Sequence, residues 1–159
     1  MHSAAPELDI EIRDATAADL PALEHVLPSA GEHARQLANA VAGRRSFLVA
    51  LDAGRPVGTV VVRWTGVTVE GLGALPEIGS LAVAPAVRGR GIGTRLVAAA
   101  EQRVRERGGS AAVLLVAESN DGARRLYERL GYRDTGRRRP VTGADRPDLV
   151  LVRELAADR

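Results

Sequence analysis

The segment from residue 77 to residue 107 restricts the fold most strongly, because its hydrophobic period changes from strand-like to helix-like across a short turn. Residues 77–83 are mostly apolar and are followed by Pro85, as expected of a strand that ends there. Residues 88–94 are rich in Gly and Arg. In residues 91–107 apolar side chains recur on one helical face, at Ile92, Leu96, Ala100 and Val104. The segment therefore predicts a strand, a tight turn and an amphipathic helix.

Similar patterns along the chain predict a mixed α/β protein. Strands are expected at 10–13, 46–52, 56–64, 77–83, 111–117, from 132 onwards and 148–155. Helices are expected at 20–27, 32–42, 91–107 and 121–130. Thr16 or Asp19 is expected to cap the first helix. The short turn at 52–56 predicts an antiparallel hairpin, and residues 137–147 are predicted to form a loop. Residues 65–75 are predicted to form a loop or an irregular edge strand, with a hairpin tip at 67–75 as an alternative.

The composition excludes several kinds of catalytic site. The chain has no Cys, and all 22 of its basic residues are Arg. A thiol nucleophile, a Cys-ligated metal, a Walker-A lysine and a Schiff-base lysine are therefore excluded. The three His, at positions 2, 25 and 33, form no HExxH pattern, so no metal is expected.

Charge and hydropathy predict a cytoplasmic protein that binds neither nucleic acid nor membrane. The net charge is only +2, and the chain has four aromatic residues, too few for a base-stacking surface. The run Arg137–Arg139 is interpreted as a solvated loop. The longest apolar run, 111–117, is far shorter than the ~18 residues of a membrane span. We expect one domain over residues 1–159, with residues 1–8 flexible.

The turn between strand and helix has the chemistry of a phosphate site. Glycine lets the backbone approach a ligand closely, and the helix N-terminus supplies unpaired N–H groups and partial positive charge. The dinucleotide pattern GxGxxG fails at Thr94, and a Walker-A loop would need Lys. What remains is Arg-x-x-Gly-x-Gly at Arg88, Gly91 and Gly93. This pattern resembles the acyl-CoA pyrophosphate loop of the GNAT superfamily of N-acetyltransferases.

A second motif strengthens the resemblance. Residues 120–132, Asn-Asp-Gly-Ala-Arg-Arg-Leu-Tyr-Glu-Arg-Leu-Gly-Tyr, are similar to the GNAT segment Asn-x-x-Ala-x-x-Leu-Tyr-x-x-Leu-Gly-Phe/Tyr. The two motifs and the elements between them cover residues 77–132. The resemblance implies an α/β fold of the α+β type, with a mixed, mostly antiparallel central sheet of about six to seven strands flanked by helices.

The resemblance also implies acetyl-CoA as co-substrate and direct transfer in a ternary complex. It assigns the pantetheine arm to backbone groups of Leu81, Ala82 and Val83. It assigns cofactor binding further to Arg88, Gly89, Arg90, Gly91, Ile92, Gly93, Thr94, Asn120 and Ala123. Tyr127 is expected beside the thioester sulfur, where a phenol can protonate the leaving thiolate. The alternative is that Tyr127 simply packs in the helix.

The proton acceptor is left open by the sequence. Glu77 stands 11 positions before Arg88, as the base glutamate does in some members of the family. Its alternative role is a solvated strand-end acid, with Glu70, Glu118 or water as the base. His25 and His33 fall in the region where the family places its acceptor, although a lone His is more often structural.

We therefore predict transfer of an acetyl group to a primary amine, most simply that of a small molecule. A protein N-terminus or lysine is a second acceptor class, a non-catalytic acyl-CoA sensor is an alternative outside catalysis, and an Arg-rich nucleic-acid binder is a third alternative. The acceptor groove is expected between residues 20–42, 65–76 and 137–147. The acids Glu24, Glu32, Glu70 and Glu77 would suit a cationic amine. Because many family members dimerise, a homodimer is also expected.

Overall fold

The computed structural model of the protein describes residues 7–156, in which four helices flank one seven-stranded sheet. The strands are β1 (Ile10–Asp14), β2 (Arg45–Asp52), β3 (Arg55–Val69), β4 (Gly73–Val83), β5 (Ala111–Ala117), β6 (Arg133–Arg139) and β7 (Asp148–Glu154). The helices are α1 (Leu20–Val26), α2 (Glu32–Val41), α3 (Ile92–Glu106) and α4 (Asp121–Arg129). The predicted mixed fold with six to seven strands is confirmed.

The sheet has the order β1-β2-β3-β4-β5-β7-β6 and is antiparallel except where β4 meets β5. These two strands run in the same direction and pair at a single position, Glu77 opposite Val113. Beyond that pair, β4 continues to Val83 while β5 pairs only with β7. Within residues 7–156, therefore, no strand pairs with residues 78–83 of β4 along the edge that faces β5, and the sheet opens there.

Helices cover the two faces of the sheet and bury its apolar side chains. On one face, α3 buries the predicted row Ile92, Leu96, Ala100 and Val104, all at most 2 % exposed. On the other face, Leu23 of α1 packs with Phe47 and Val61. Each of these two faces of the sheet thus has its own hydrophobic core, and the sheet lies between the two cores.

A buried ionic group joins α3 to β7. Glu101 is 4 % exposed, and Arg153 Nη1 donates to its two carboxylate oxygens at 2.8 and 2.9 Å. The Tyr132 hydroxyl donates to the same carboxylate at 2.7 Å. Burial and the neighbouring carboxylate raise the pKa of Tyr132, so the phenol keeps its proton. Tyr132 is a core residue, 3 % exposed.

Two sequence predictions are wrong at the sheet's far end. Residues 65–75 are neither a loop nor an edge strand, because β3 and β4 extend as a long central hairpin whose Val67, Val69 and Leu75 pack on the β5–β7 face. Gly66 permits this hairpin: its φ is +55°, and a Cβ there would lie 1.6 Å from the Leu75 carbonyl oxygen. Arg137–Arg139 belong to β6, where exposed Arg side chains line an edge strand, rather than to a loop.

The predicted flexibility of residues 1–8 falls largely outside the described residues, which begin at Glu7. Leu8 is described, and it packs against the core beneath α3. The predicted cap lies one turn before α1, on the 3-10 turn Ala17–Asp19, and Asp19 makes no side-chain cap hydrogen bond to α1 itself. Thr16 and Asp19 form a reciprocal capping box around that 3-10 turn, so both candidates take part.

Candidate active site

A bulge in β4 shapes the centre of the site. Thr59 pairs with Ala82 and Val61 with Gly79, so β4 contains one residue more than β3 across this interval. Ser80 lies in the bulge with a φ of +50°, a left-handed conformation that costs energy in a residue with a Cβ. The bulge bends β4 away from the regular ladder next to the place where β4 and β5 separate. Two cavities meet along this bent segment.

The first cavity, here called the donor cleft, has a volume of about 760 Å³. It lies between the end of β4, the Gly-rich turn and one face of α4. Nine of the predicted cofactor residues line it: Leu81, Ala82, Val83, Arg88, Gly89, Gly91, Ile92, Gly93 and Thr94. The strand, the turn and the helix start therefore do surround one space, as the sequence indicated.

The start of α3 is built to receive an anion. Gly91 is the N-cap residue with a φ of +83°, and no side chain caps the helix. The N–H groups of the first turn thus remain available, and the helix dipole adds positive potential beside Arg88. A Cβ at Gly89 or Gly91 would meet nothing within 4 Å, so the turn borders open space. These features fit a pyrophosphate.

Helix α4 presents a different face to the cleft than the motif suggested. Gly122, Leu126 and Arg129 line the cleft, at spacings of four and three that lie on one helical face. The sequence analysis missed these three residues, which helical periodicity applied to the motif would have found. Arg129 is exposed at the end of the helix and adds a second cation to the cleft beside Arg88.

The motif residues Asn120, Ala123 and Tyr127 do not line the donor cleft. Asn120 caps α4, since its side-chain oxygen accepts a 3.1 Å hydrogen bond from the backbone N–H of Ala123. Arg90 is exposed at the turn and also lies outside the cleft lining. The proposed contacts of these residues with the cofactor stay predictions.

Tyr127 is buried on α4 and packs against Tyr132. It is 8 % exposed, and its ring packs edge-on against Tyr132 with centroids 6.2 Å apart. No group in residues 7–156 hydrogen-bonds the hydroxyl, which nevertheless reaches solvent. Burial raises the pKa of Tyr127 above its ordinary value of 10.0, so the phenol is protonated at neutral pH. A buried, protonated phenol is suited to donating a proton.

The second cavity, here called the acceptor cavity, has a volume of about 420 Å³. Its walls are the loop between α1 and α2, the first turns of α2, and the faces of β2, β3 and β4. It shares Leu81, Ala82 and Arg88 with the donor cleft, so the two spaces adjoin at the bulge. The prediction that residues 20–42 shape the acceptor site agrees with this lining.

Two other predicted walls lie elsewhere, and their part in an acceptor site stays a prediction. The acceptor cavity contains no residue of 65–76 or 137–147. Those segments instead face each other at a separate depression, where Glu70 pairs with Arg137. The physical reason is the long β3–β4 hairpin, which carries residues 65–76 past the bulge to the β5–β7 side of the sheet.

Glu77 lies beside the acceptor cavity rather than in its lining. It shares a sheet face with Gly79, which pairs with the cavity residue Val61. Its carboxylate forms an ion pair with Arg63 at 3.3 Å, and Arg63 also donates to the Ser80 hydroxyl at 3.0 Å.

Comparison with known families agrees with this geometry. The model of the acetyltransferase (GNAT) family matches residues 11–132, which is most of the chain and includes both cavities' principal walls. The chain belongs to the GNAT acetyltransferase family. The predicted family membership is thus confirmed. The matched residues include the β4 bulge, the Gly-rich turn and α4.

Individual relatives of this GNAT domain are moderately similar. It is 38 % identical over 91 residues to the acetyltransferase plu1384 of Photorhabdus laumondii, covering 55 % of this chain and 57 % of that protein. It is 35 % identical over 113 residues to a mycothiol acetyltransferase of Rhodococcus jostii, covering 69 % and 34 %. The chain thus spans between about a third and somewhat more than half of these curated relatives.

A solved structure supports the fold assignment. The GNAT N-acetyltransferase YhbS of Escherichia coli, crystallised with CoA, superposes with a TM-score of 0.68 at 28 % identity. The superposition covers 98 % of this chain and 86 % of that one. Within residues 7–156 of this GNAT domain, no helix is long and apolar enough to cross a membrane, and no three potential metal ligands cluster.

Proposed function

We propose that this protein transfers the acetyl group of acetyl-CoA to the primary amine of a small molecule. The observation that carries the proposal is the meeting of the donor cleft and the acceptor cavity at Leu81, Ala82 and Arg88. A thioester held along β4 and an amine in the adjoining cavity would be brought together without crossing solvent. Such placement of two reactants removes much of the entropic part of the barrier.

The donor is held by main-chain groups and arginines. The unpaired edge of β4 offers N–H and C=O groups to the pantetheine amides, which have matching donors and acceptors. The pyrophosphate would lie on the N–H groups of the turn and of α3, with Arg88 and Arg129 beside it. A backbone N–H at the bulge would polarise the thioester carbonyl.

Acetyl-CoA supplies the acetyl group as a thioester. The neutral amine nitrogen forms a bond to the carbonyl carbon while the carbon–sulfur bond breaks. We assign proton donation to the leaving thiolate to Tyr127, whose buried phenol holds its proton at neutral pH. We assign acceptance of the amine proton, through water, to Glu77. The chain has no Cys, so no acyl-cysteine intermediate forms.

A small-molecule acceptor is favoured by the size of the acceptor cavity. At about 420 Å³ it lies towards the lower end of the ~300–1,000 Å³ found for small-molecule sites. The cavity is also bounded on three sides, by the α1–α2 loop, α2 and the sheet.

The proposal is tested first by calorimetric titration of acetyl-CoA, with desulfo-CoA and ATP as comparisons. Acetyl-CoA should bind, and ATP much more weakly, because ATP lacks the pantetheine arm. Gly91→Glu should weaken binding by ~100-fold or more, since like charges about 4 Å apart repel by ~4 kcal/mol at a protein surface.

Gly108→Glu is the matched control for that variant. Gly108 also has a positive φ, +79°, and an open surrounding, but it follows the opposite end of α3. Its substitution adds the same charge and similar backbone strain without approaching the turn. Equal affinity of acetyl-CoA for the two variants, or no binding to the unaltered protein, would refute the donor site.

A further inference from the structure

We propose that the acceptor is a primary monoamine on an apolar carbon skeleton, such as an arylalkylamine, rather than a polyamine or an amino sugar. The inference rests on the proposed function and narrows it to a substrate class. It comes from the acids around the acceptor cavity. The sequence suggested that they would attract a cationic amine, whereas in the structure they are paired or lie outside the cavity lining.

The wall of the acceptor cavity is largely apolar. Its apolar side chains include Val26 and Leu27 from the end of α1, Pro28 after it, and Phe47 and Val61 from the sheet. The Phe47 ring is stacked on that of His33, with centroids 6.1 Å apart. A ligand that fills this space gains by removing its own apolar surface from water.

The one carboxylate in the cavity lining, that of Glu32, is already paired. Arg35 lies 2.7 Å from its Oε2, and the Gln36 amide donates to its Oε1 at 3.0 Å. Arg45 in turn donates to the Gln36 side-chain oxygen at 2.6 Å. The hydrogen bond from Arg35 is the main cause that holds the pKa of Glu32 below its ordinary range, and the charges of Arg35, Arg45 and Arg63 add to it. The Glu32 side chain is 45 % exposed and that of Arg35 65 %, so a ligand ammonium would compete with this surface pair for the carboxylate.

The other three acids that suggested a cationic acceptor are also engaged, and none lines the cavity. Glu24 accepts hydrogen bonds from the backbone and hydroxyl of Ser29. Glu77 is paired with Arg63, and Glu70 with Arg137 on the far side of the molecule. The cation Arg88 borders the cavity as well. A second ammonium group on the acceptor would therefore meet repulsion without a free carboxylate to offset it.

Five further polar residues line the cavity: Ser29, His33, Gln36, Thr59 and Ser80. Thr59 is 3 % exposed, yet within residues 7–156 nothing hydrogen-bonds its hydroxyl, which opens to the cavity opposite Ala82. The Nε2 of His33 lies 2.7 Å from the Leu27 carbonyl oxygen and donates to it, so this nitrogen is already engaged. The Thr59 hydroxyl is thus positioned to orient one nitrogen at the junction of the two cavities.

Bisubstrate analogues test the proposal even while the natural acceptor is unidentified. CoA is linked through an S-acetyl group to the nitrogen of phenethylamine in one analogue and to a primary nitrogen of spermidine in the other. Calorimetry should show the phenethylamine analogue binding ~100-fold more tightly than CoA, from burial of the aryl group, and the spermidine analogue no more tightly than CoA.

The other outcomes are equally decisive. If the spermidine analogue binds more tightly than CoA, or if CoA and both analogues bind equally, the monoamine assignment is overturned while the donor site stays intact. Failure of CoA itself to bind would refute the proposed function, and this inference with it.

A matched pair of variants links the preference to the acceptor cavity. Val26 and Val41 are the last residues of α1 and α2, but only Val26 lines the cavity, whereas Val41 is 82 % exposed. Val26→Asp should weaken the phenethylamine analogue at least ~10-fold while CoA binds as before, and Val41→Asp should change neither. Unchanged affinity of the analogue for Val26→Asp would overturn the proposal.

Discussion

The substitution Asp19→Asn should destabilise the protein in a pH-dependent manner. The Asp19 side chain is 8 % exposed, and Arg13 holds both of its oxygens, at 2.8 and 2.9 Å. Its Oδ2 also accepts the backbone N–H of Thr16 at 2.7 Å. Asn keeps an oxygen for Thr16 but loses the charge that pairs with Arg13. This ion pair fixes the start of α1, whose other end forms the wall of the acceptor cavity.

The magnitude follows from the pKa of Asp19. The hydrogen bond from Arg13 is the main cause that lowers this pKa from 3.8 to about 2. At about 1.4 kcal/mol per pKa unit the shift corresponds to ~2 kcal/mol, and screening at the Arg13 side chain, which is 38 % exposed, reduces this to roughly 1–2 kcal/mol. Because the folded-state pKa is depressed, the stabilisation is full above pH ~4 and is lost as pH falls through ~2.

Urea unfolding at pH 7, 5, 3 and 2 measures this effect. The difference in unfolding free energy between the unaltered protein and Asp19→Asn should be ~1–2 kcal/mol at neutral pH and below ~0.5 kcal/mol at pH 2. Asp14→Asn is the control, since Asp14 pairs with Arg103 but is 61 % exposed. A difference for Asp19→Asn that stays constant with pH, or that equals the control, would refute the reasoning.

Two further substitutions test the reaction and the core. Tyr127→Phe should lower kcat for acetyl transfer ~100-fold without weakening acetyl-CoA binding, because the variant lacks the proton donor. The rate of CoA thiol release measures kcat, and an unchanged kcat would refute the proton-donor role. Glu101→Gln leaves Arg153 without its buried partner and should cost ~2–3 kcal/mol in urea unfolding, whereas Glu106→Gln, on the exposed side of the same helix, should cost almost nothing. Equal losses in the two Glu variants would show that the buried network contributes little.

The strand–turn–helix unit was predictable because its signals are local. Pro85 ends the strand, Gly91 opens α3, and a four-residue period marks the helix face that the core receives. The cap at Asn120 and the core position of Tyr132 follow from the same kind of short-range rule. Much of the donor cleft could therefore be placed from the order of residues alone.

The acceptor cavity could not be predicted, because it depends on distant residues. Phe47, Val61 and Ser80 come from three strands, and only the sheet register brings them beneath the α1–α2 loop. The long β3–β4 hairpin was predicted only as one alternative for residues 67–75, for a related reason. The glycines of this hairpin are typical of loops, whereas Val67 and Val69 become strand residues by packing on β5 and β7.

The shared wall at Leu81, Ala82 and Arg88 also has a thermodynamic consequence. A molecule in the donor cleft covers part of the surface that the acceptor would touch, and the reverse holds as well. The two affinities are then linked quantities: whatever factor the donor imposes on acceptor binding, the acceptor imposes on donor binding. The free energy of filling both cavities therefore differs from the sum of the two separate binding free energies by one coupling free energy, which corresponds to that shared factor.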